Sequence, residues 1–175
     1  NTLRKDNPLL TTRGIKQKEP LRVVFTRTLD LPMQAKLWDT DLANTLVIYD
    51  ESKSNKKNIK RIPKNVEIVK VTSDDPKLVS KVLAEKGFNK ILWECGPKLA
   101  TSAIKSDCIQ ECISFIAPKI LGGDNCMTPF SDFKFMSMKE VINLDLKQLN
   151  RFGDDICLMS DISPNFKNLK GNQLI

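Results

Sequence analysis

Histidine is wholly absent from this sequence. Without an imidazole to take the proton, Ser-His-Asp and Cys-His nucleophilic catalysis are removed. A Cys/His zinc site is disfavoured too, because the five cysteines are odd in number and form no CxxC. No metal is expected. Cys95, Cys108, Cys112, Cys126 and Cys157 read instead as buried free thiols in a reducing cytoplasm. No apolar run approaches the roughly 20 residues that span a bilayer, so no membrane partner is expected. Neither GxGxxG nor a P-loop is present. Aromatic residues are few, at 6%, and none lies among the basic cluster Lys53, Lys56, Lys57, Lys60, Arg61 and Lys64. Without rings to stack bases, that cluster reads as a solvated loop, and no nucleic-acid partner is expected. The net charge of +7 still suits small anions that carry phosphate.

What is present is ordinary for a globular protein: 41% hydrophobic and 28% charged residues in a chain of 175, enough for one domain with a real core. Asn1 to Arg13 is polar and charged, with no signal pattern and no initiator Met, so further sequence is expected upstream. Short apolar segments predict strands at 21–26, 45–49, 66–71, 90–95 and 112–117. Pro76 opens a predicted helix that Gly87 ends, and Gly96-Pro97 opens another. Residues 141–151 and 156–162 read as a hairpin turning at Gly153-Asp154. Alternation followed by a hairpin predicts an α/β fold with a mixed sheet covered on both faces. Residues 1–162 are expected to form the domain and 163–175 a polar tail.

Two segments point to chemistry. Ile91 to Ser102 reads as a strand running into a helix N-terminus, where unpaired N–H groups and the dipole favour phosphate. A tight turn without a ligand is the plainer alternative. Glu94 ends that apolar strand, and a carboxylate there is costly unless it is used or exposed. Strand ends are where ligands sit in α/β sheets. In Asn1 to Arg13, the turn former Asp6-Asn7-Pro8 gathers Thr2, Asp6 and Arg13 in one stretch. Arg13 is suited to a bidentate grip on phosphate, and a surface loop is the plainer alternative.

Taken together, Thr-x-x-x-Asp-Asn-Pro-x-Leu-Thr-x-Arg, Pro-Leu-Arg-Val-Val, Glu-x-Gly-Pro-x-Leu-Ala, the run Phe115 to Gly123 and Gly-Asp-Asp at 153–155 carry a resemblance. Their order and spacing resemble the reductase domain of the bifunctional riboflavin biosynthesis deaminase-reductase, from Thr2 to about Ile162. The resemblance implies a three-layer dihydrofolate-reductase-like mixed sheet, with helices on both faces and the C-terminal hairpin. It implies reduction of 5-amino-6-(5-phosphoribosylamino)uracil by NADPH, with hydride passing to C1 of the ribosyl group in its open imine form.

On the matching positions, Thr2, Asp6 and the run Gly96, Pro97, Lys98, Leu99, Ala100, Thr101 and Ser102 would contact the cofactor. Leu10, Arg13 and Glu94 would contact the phosphorylated pyrimidine substrate. Asp6 and Glu94 are the carboxylates nominated for proton handling. Arg27 stands near a position where relatives carry a cofactor-binding Ser, and is expected either to pair with an NADP phosphate or to point to solvent. The resemblance also implies a homodimer, with Phe115-Ile116-Ala117-Pro118 near the shared surface. The zinc-binding His-x-Glu and Pro-Cys-x-x-Cys of the deaminase are absent, so a deaminase domain is expected upstream or elsewhere. The first strand and helix of the reductase fold are likewise expected upstream of Asn1. The alternative is a non-catalytic nucleotide-binding or partner-binding domain of the same fold.

Overall fold

A computed structural model describes residues 2–16, 18–122 and 128–163. The chain divides into two compact units, Asn1–Gly96 and Pro97–Ile175.

The first unit begins with a short helix α1 (Thr2–Asp6) and a loop, then strand β1 (Arg22–Thr26), β2 (Thr45–Asp50), helix α2 (Lys56–Ile59), β3 (Glu67–Val71) and helix α3 (Pro76–Glu85). The strands form a parallel sheet in the order β1-β2-β3, with Val23 opposite Leu46 and Val47 opposite Ile68. Every residue of β2 is buried, as a central parallel strand requires. Successive β2 side chains serve opposite faces. Val47 and Tyr49 pack with Leu29, Leu31, Trp38, Ile62 and Val66. Leu46 and Ile48 pack with Val71 and with Val79 and Leu83 of α3. Both faces of this sheet are therefore covered.

Helix α3 follows its sequence signals closely. The Asp75 side chain caps it by accepting from the Lys77 N–H at 2.9 Å, and Pro76 occupies the first turn. Gly87, at φ +85°, closes a Schellman motif: its N–H reaches the Ala84 carbonyl, and Phe88 N–H reaches Leu83.

The second unit contains helix α4 (Pro97–Lys105) and strands β4 (Glu111–Ile116), β5 (Leu144–Phe152) and β6 (Asp155–Ile162). Their antiparallel sheet has the order β4-β6-β5. The β5–β6 hairpin turns at Gly153-Asp154 as expected. Gly153 has φ +62° while Asp154 is not in the left-handed region, as a type II′ turn requires. A bulge lies between Leu146 and Gln148. Helix α4 also ends in a Schellman motif, but with Asp107 at φ +59° where glycine is usual.

The α/β class holds, with parallel strands, antiparallel strands and the hairpin; among the described residues the ladders form two three-stranded sheets. One predicted element needs correction. Residues 90–95 pair with no strand among the described residues. Ile91 and Trp93 pack against the cluster of Leu46 and Ile48, whereas Leu92 is 74% exposed. The alternation that predicted a strand is real, but alternation reports a buried face and not a ladder partner. The tail expected from Ser163 lies, beyond that residue, outside the described residues.

Candidate functional site

The loop after α1 carries Leu10 and Arg13, two of the three nominated substrate residues. Thr2 and Asp6 lie one turn apart on α1, both exposed. Three non-glycine residues then enter the left-handed region: Asn7 at φ +41°, Leu10 at +50° and Arg13 at +51°. Such backbone persists only where neighbours over-determine it, and it collects at functional sites.

The neighbours are identifiable. The Asn7 Oδ1 accepts from the Lys36 N–H at 2.9 Å. The Glu19 carboxylate takes two bonds from Thr12, one from its N–H at 2.6 Å and one from its hydroxyl at 2.8 Å. The hydroxyl has one proton, so its 3.4 Å approach to the Lys16 carbonyl is secondary. Ile15 N–H closes a turn onto the Thr12 carbonyl at 3.0 Å, and Gly14 takes φ +81° within it. Arg22, 1% exposed, donates to Leu9 O at 3.4 Å, Leu37 O at 3.1 Å and Asp39 O at 2.7 Å, and also to Ala43 O. Burial lowers its pKa, and the charges of Asp39 and Glu19 oppose that shift.

Arg13 and Glu94 are both exposed, and neither has an ion-pair partner among the described residues. Among the described residues no carboxylate must be displaced before Arg13 meets an anion. For Glu94 the desolvation argument fails, because the side chain is exposed and lies in no ladder among the described residues. What remains is its position just ahead of α4. Between them in the chain, Cys95 is half-buried, which pushes its thiol pKa up.

The Arg27 side chain is mostly exposed. It lies 3.8 Å from Asp74, which also pairs with Lys53 at 3.0 Å. Lys53 in turn lies 3.6 Å from the fully buried Asp50. These groups gather at the C-terminal ends of β1, β2 and β3, where ligands of parallel sheets lie.

At the start of α4, Pro97 has no N–H, and among the described residues the Lys98 and Leu99 N–H groups have no acceptor. That donor set fits a phosphate of a dinucleotide. Gly96 and Lys98 are exposed; Pro97, Leu99, Ala100 and Ser102 are half-buried. Thr101 differs, being buried, with its hydroxyl accepting from the Ser131 N–H at 2.8 Å. It braces the segment around Ser131. A depression on the antiparallel sheet, lined by Glu111, Ile113, Lys147, Met159 and Asp161, contains none of the nominated residues. Among the described residues no group of three or more acidic or cysteine side chains is arranged for a metal ion. No helix there is long and apolar enough to cross a membrane.

Sequence reasoning missed Glu19, Arg22, Lys53 and Asp74. Glu19 is seven residues from Thr12 across a loop, where neither helical nor strand periodicity relates two side chains. An arginine opening an apolar strand reads as a surface charge until its burial is seen.

The model of the RibD C-terminal domain family matches residues 1–158. The riboflavin biosynthesis protein RibD of Synechocystis is 38% identical over 98% of this chain and 47% of its own length. A riboflavin biosynthesis protein of Arabidopsis thaliana, PYRR, described as chloroplastic, is 35% identical over 94% of this chain and 27% of its own. The chain thus spans half or less of these relatives. Among solved structures, a Thermotoga maritima protein is similar with a TM-score of 0.73 at 21% identity. That protein is named a diaminohydroxyphosphoribosylaminopyrimidine deaminase and 5-amino-6-(5-phosphoribosylamino)uracil reductase. The likeness covers 93% of this chain and 43% of that one. At that identity it speaks for the fold, which is the dihydrofolate-reductase-like class expected from the sequence.

Proposed function

The chain belongs to the RibD C-terminal domain family, and from that premise we propose that it is the NADPH-dependent reductase acting on 5-amino-6-(5-phosphoribosylamino)uracil. The observation that carries this reading is the extent of the match, which takes in every nominated residue from Thr2 to Ser102. When bound, the dinucleotide supplies the hydride that reaches C1 of the open ribosyl imine, and the protein's task is to bind and orient. Arg13 grips the substrate phosphate, with Leu10 beside it in the loop. Thr2, Asp6 and the segment Gly96 to Ser102 hold the cofactor, the free N–H groups of Lys98 and Leu99 meeting phosphate oxygens. Reducing C=N adds a proton at nitrogen as well as a hydride at carbon. Glu94 and Asp6 are the carboxyl groups assigned to that proton or to ribose hydroxyls. Arg27 is assigned to a cofactor phosphate, for which it must leave Asp74.

The assembly we propose is a homodimer working with a deaminase domain, in the cytoplasm. Exposed Phe115, in contact with Phe152 at 6.1 Å between ring centroids, supports an apolar shared surface. Sedimentation showing a monomer alone would overturn the dimer.

The deciding experiment is turnover of the deaminated pathway intermediate, followed by loss of NADPH absorbance, with NADH as comparison. Thermal stabilisation by NADPH without any turnover would favour the non-catalytic nucleotide-binding alternative.

A further inference from the structure

We propose that Glu19 is a positioning residue for substrate recognition: its carboxylate clamps Thr12 and so sets the conformation from which Arg13 presents its guanidinium. This rests on the functional reading above, in which Arg13 grips the substrate phosphate.

Arg13 is held at φ +51°, and Leu10, two residues before Thr12, at +50°. Neither is glycine, so neither would stay there by intrinsic preference. Thr12 lies between them, and Glu19 fixes it at two points, the backbone N–H at 2.6 Å and the side-chain hydroxyl at 2.8 Å. Bonds to an ionised acceptor are stronger than neutral ones. Two of them on one residue restrict both the peptide entering Thr12 and its χ1. The carboxylate is itself anchored. Pro20 follows Glu19 and confines its backbone to the extended region. Two residues further, Arg22 is buried at the first position of β1 and reaches back to the Leu9 carbonyl at 3.4 Å. A core strand thus holds both ends of the loop, and Glu19 connects that strand to the residue before Arg13.

A clamp that only stabilises the fold would not care which ligand is measured. A clamp that positions Arg13 acts on one ligand and through one residue. The test compares Glu19→Ala, Glu19→Gln, Arg13→Ala and the Glu19→Ala/Arg13→Ala pair by steady-state kinetics with NADPH saturating. Glu19→Ala is expected to raise the KM for the phosphorylated pyrimidine about 10-fold, with kcat changed by less than about 2-fold. The KM for NADPH should not move. Glu19→Gln keeps an acceptor for the Thr12 N–H and is expected to recover most of the loss. In the Arg13→Ala background, Glu19→Ala should add nothing. Independently of any substrate, tryptic cleavage after Arg13 should quicken in Glu19→Ala, because native cleavage requires the loop to open.

An unaltered pyrimidine KM in Glu19→Ala, an equal rise in the Arg13→Ala background, or an unchanged cleavage rate would each overturn the proposal. A wild-type protein without turnover sinks the functional reading and this role with it. Wild-type turnover with an unchanged pyrimidine KM in Glu19→Ala sinks the positioning role alone.

Discussion

The guanidinium of Arg22 donates to the Asp39 carbonyl at 2.7 Å from a position that is 1% exposed. The same nitrogen reaches Leu37 and Ala43, so one buried cation organises the segment that closes over the start of β1 and β2. Arg22→Met keeps the length and removes every donor, so the Leu9, Asp39 and Ala43 carbonyls lose this partner, while Leu37 keeps the Thr45 hydroxyl at 2.6 Å. The expected cost is about 3 kcal/mol or more, since each bond to a charged group contributes about 1.5–3 kcal/mol. Arg22→Lys keeps the charge but not the fork, and should recover only part. Urea unfolding measures both, and a cost under about 1 kcal/mol for Arg22→Met would show that water replaces the guanidinium freely.

Arg13 and Glu94 are expected to divide the labour of binding and chemistry. Arg13→Ala should raise the substrate KM by about 10- to 100-fold, the factor that a lost charge-assisted pair implies. Turnover should fall less, because a grip remote from the reacting carbon is equal in ground and transition states. Glu94→Gln keeps shape and removes charge, and should lower kcat more than affinity. Small, equal effects in both variants would return them to the status of surface charges, and a reversed pattern would exchange their roles.

Arg27 already has a carboxylate neighbour, Asp74, at 3.8 Å. If a cofactor phosphate takes its place, Asp74→Asn should tighten NADPH by removing the competitor, and Arg27→Ala should weaken it by about 3- to 10-fold. NADH, which lacks the extra phosphate, should be nearly indifferent. Titration of both variants with both dinucleotides settles it: equal effects on NADPH and NADH would remove Arg27 from the phosphate site.

Asp50 should give the first unit part of its acid sensitivity. Its carboxyl is held below the ordinary value of 3.8, chiefly by the Ser52 hydroxyl, with the Ser52 N–H and Lys53 assisting against desolvation. A depressed folded pKa contributes stability above the unfolded value and loses it as pH falls through the folded one. Asp50→Asn should therefore be less stable than wild type at neutral pH, with the gap narrowing below about pH 3.8. Urea midpoints across that range provide the measurement. A gap that stays constant would mean that shape, not charge, matters at this position.

Much of the fold is legible in local chemistry. Asp75-Pro76 and Gly87 mark both ends of α3, and Gly153-Asp154 marks the hairpin turn, because caps and tight turns depend on residues a few positions apart. The two nominated segments stand out in the sequence for a similar reason, each being a short motif. Less accessible was Asp107, which closes α4 in a left-handed conformation that glycine would have announced. Residues 90–95 show the limit of periodicity, which exposes a packed face at Ile91 and Trp93 without revealing whether a neighbouring strand exists.

The sequence by itself determined the succession of elements, the family resemblance and the nominated residues, all of which follow from short-range spacing and residue type. Only the tertiary structure decided that Arg22 is buried, that Glu19 holds Thr12, and that Arg27 and Lys53 share Asp74. These contacts join residues 7 to 47 positions apart, and their existence depends on which loops close beside which strand ends. Hydrophobic pattern places strands and helices, whereas the charged groups between them find partners only once the sheet has brought their ends together.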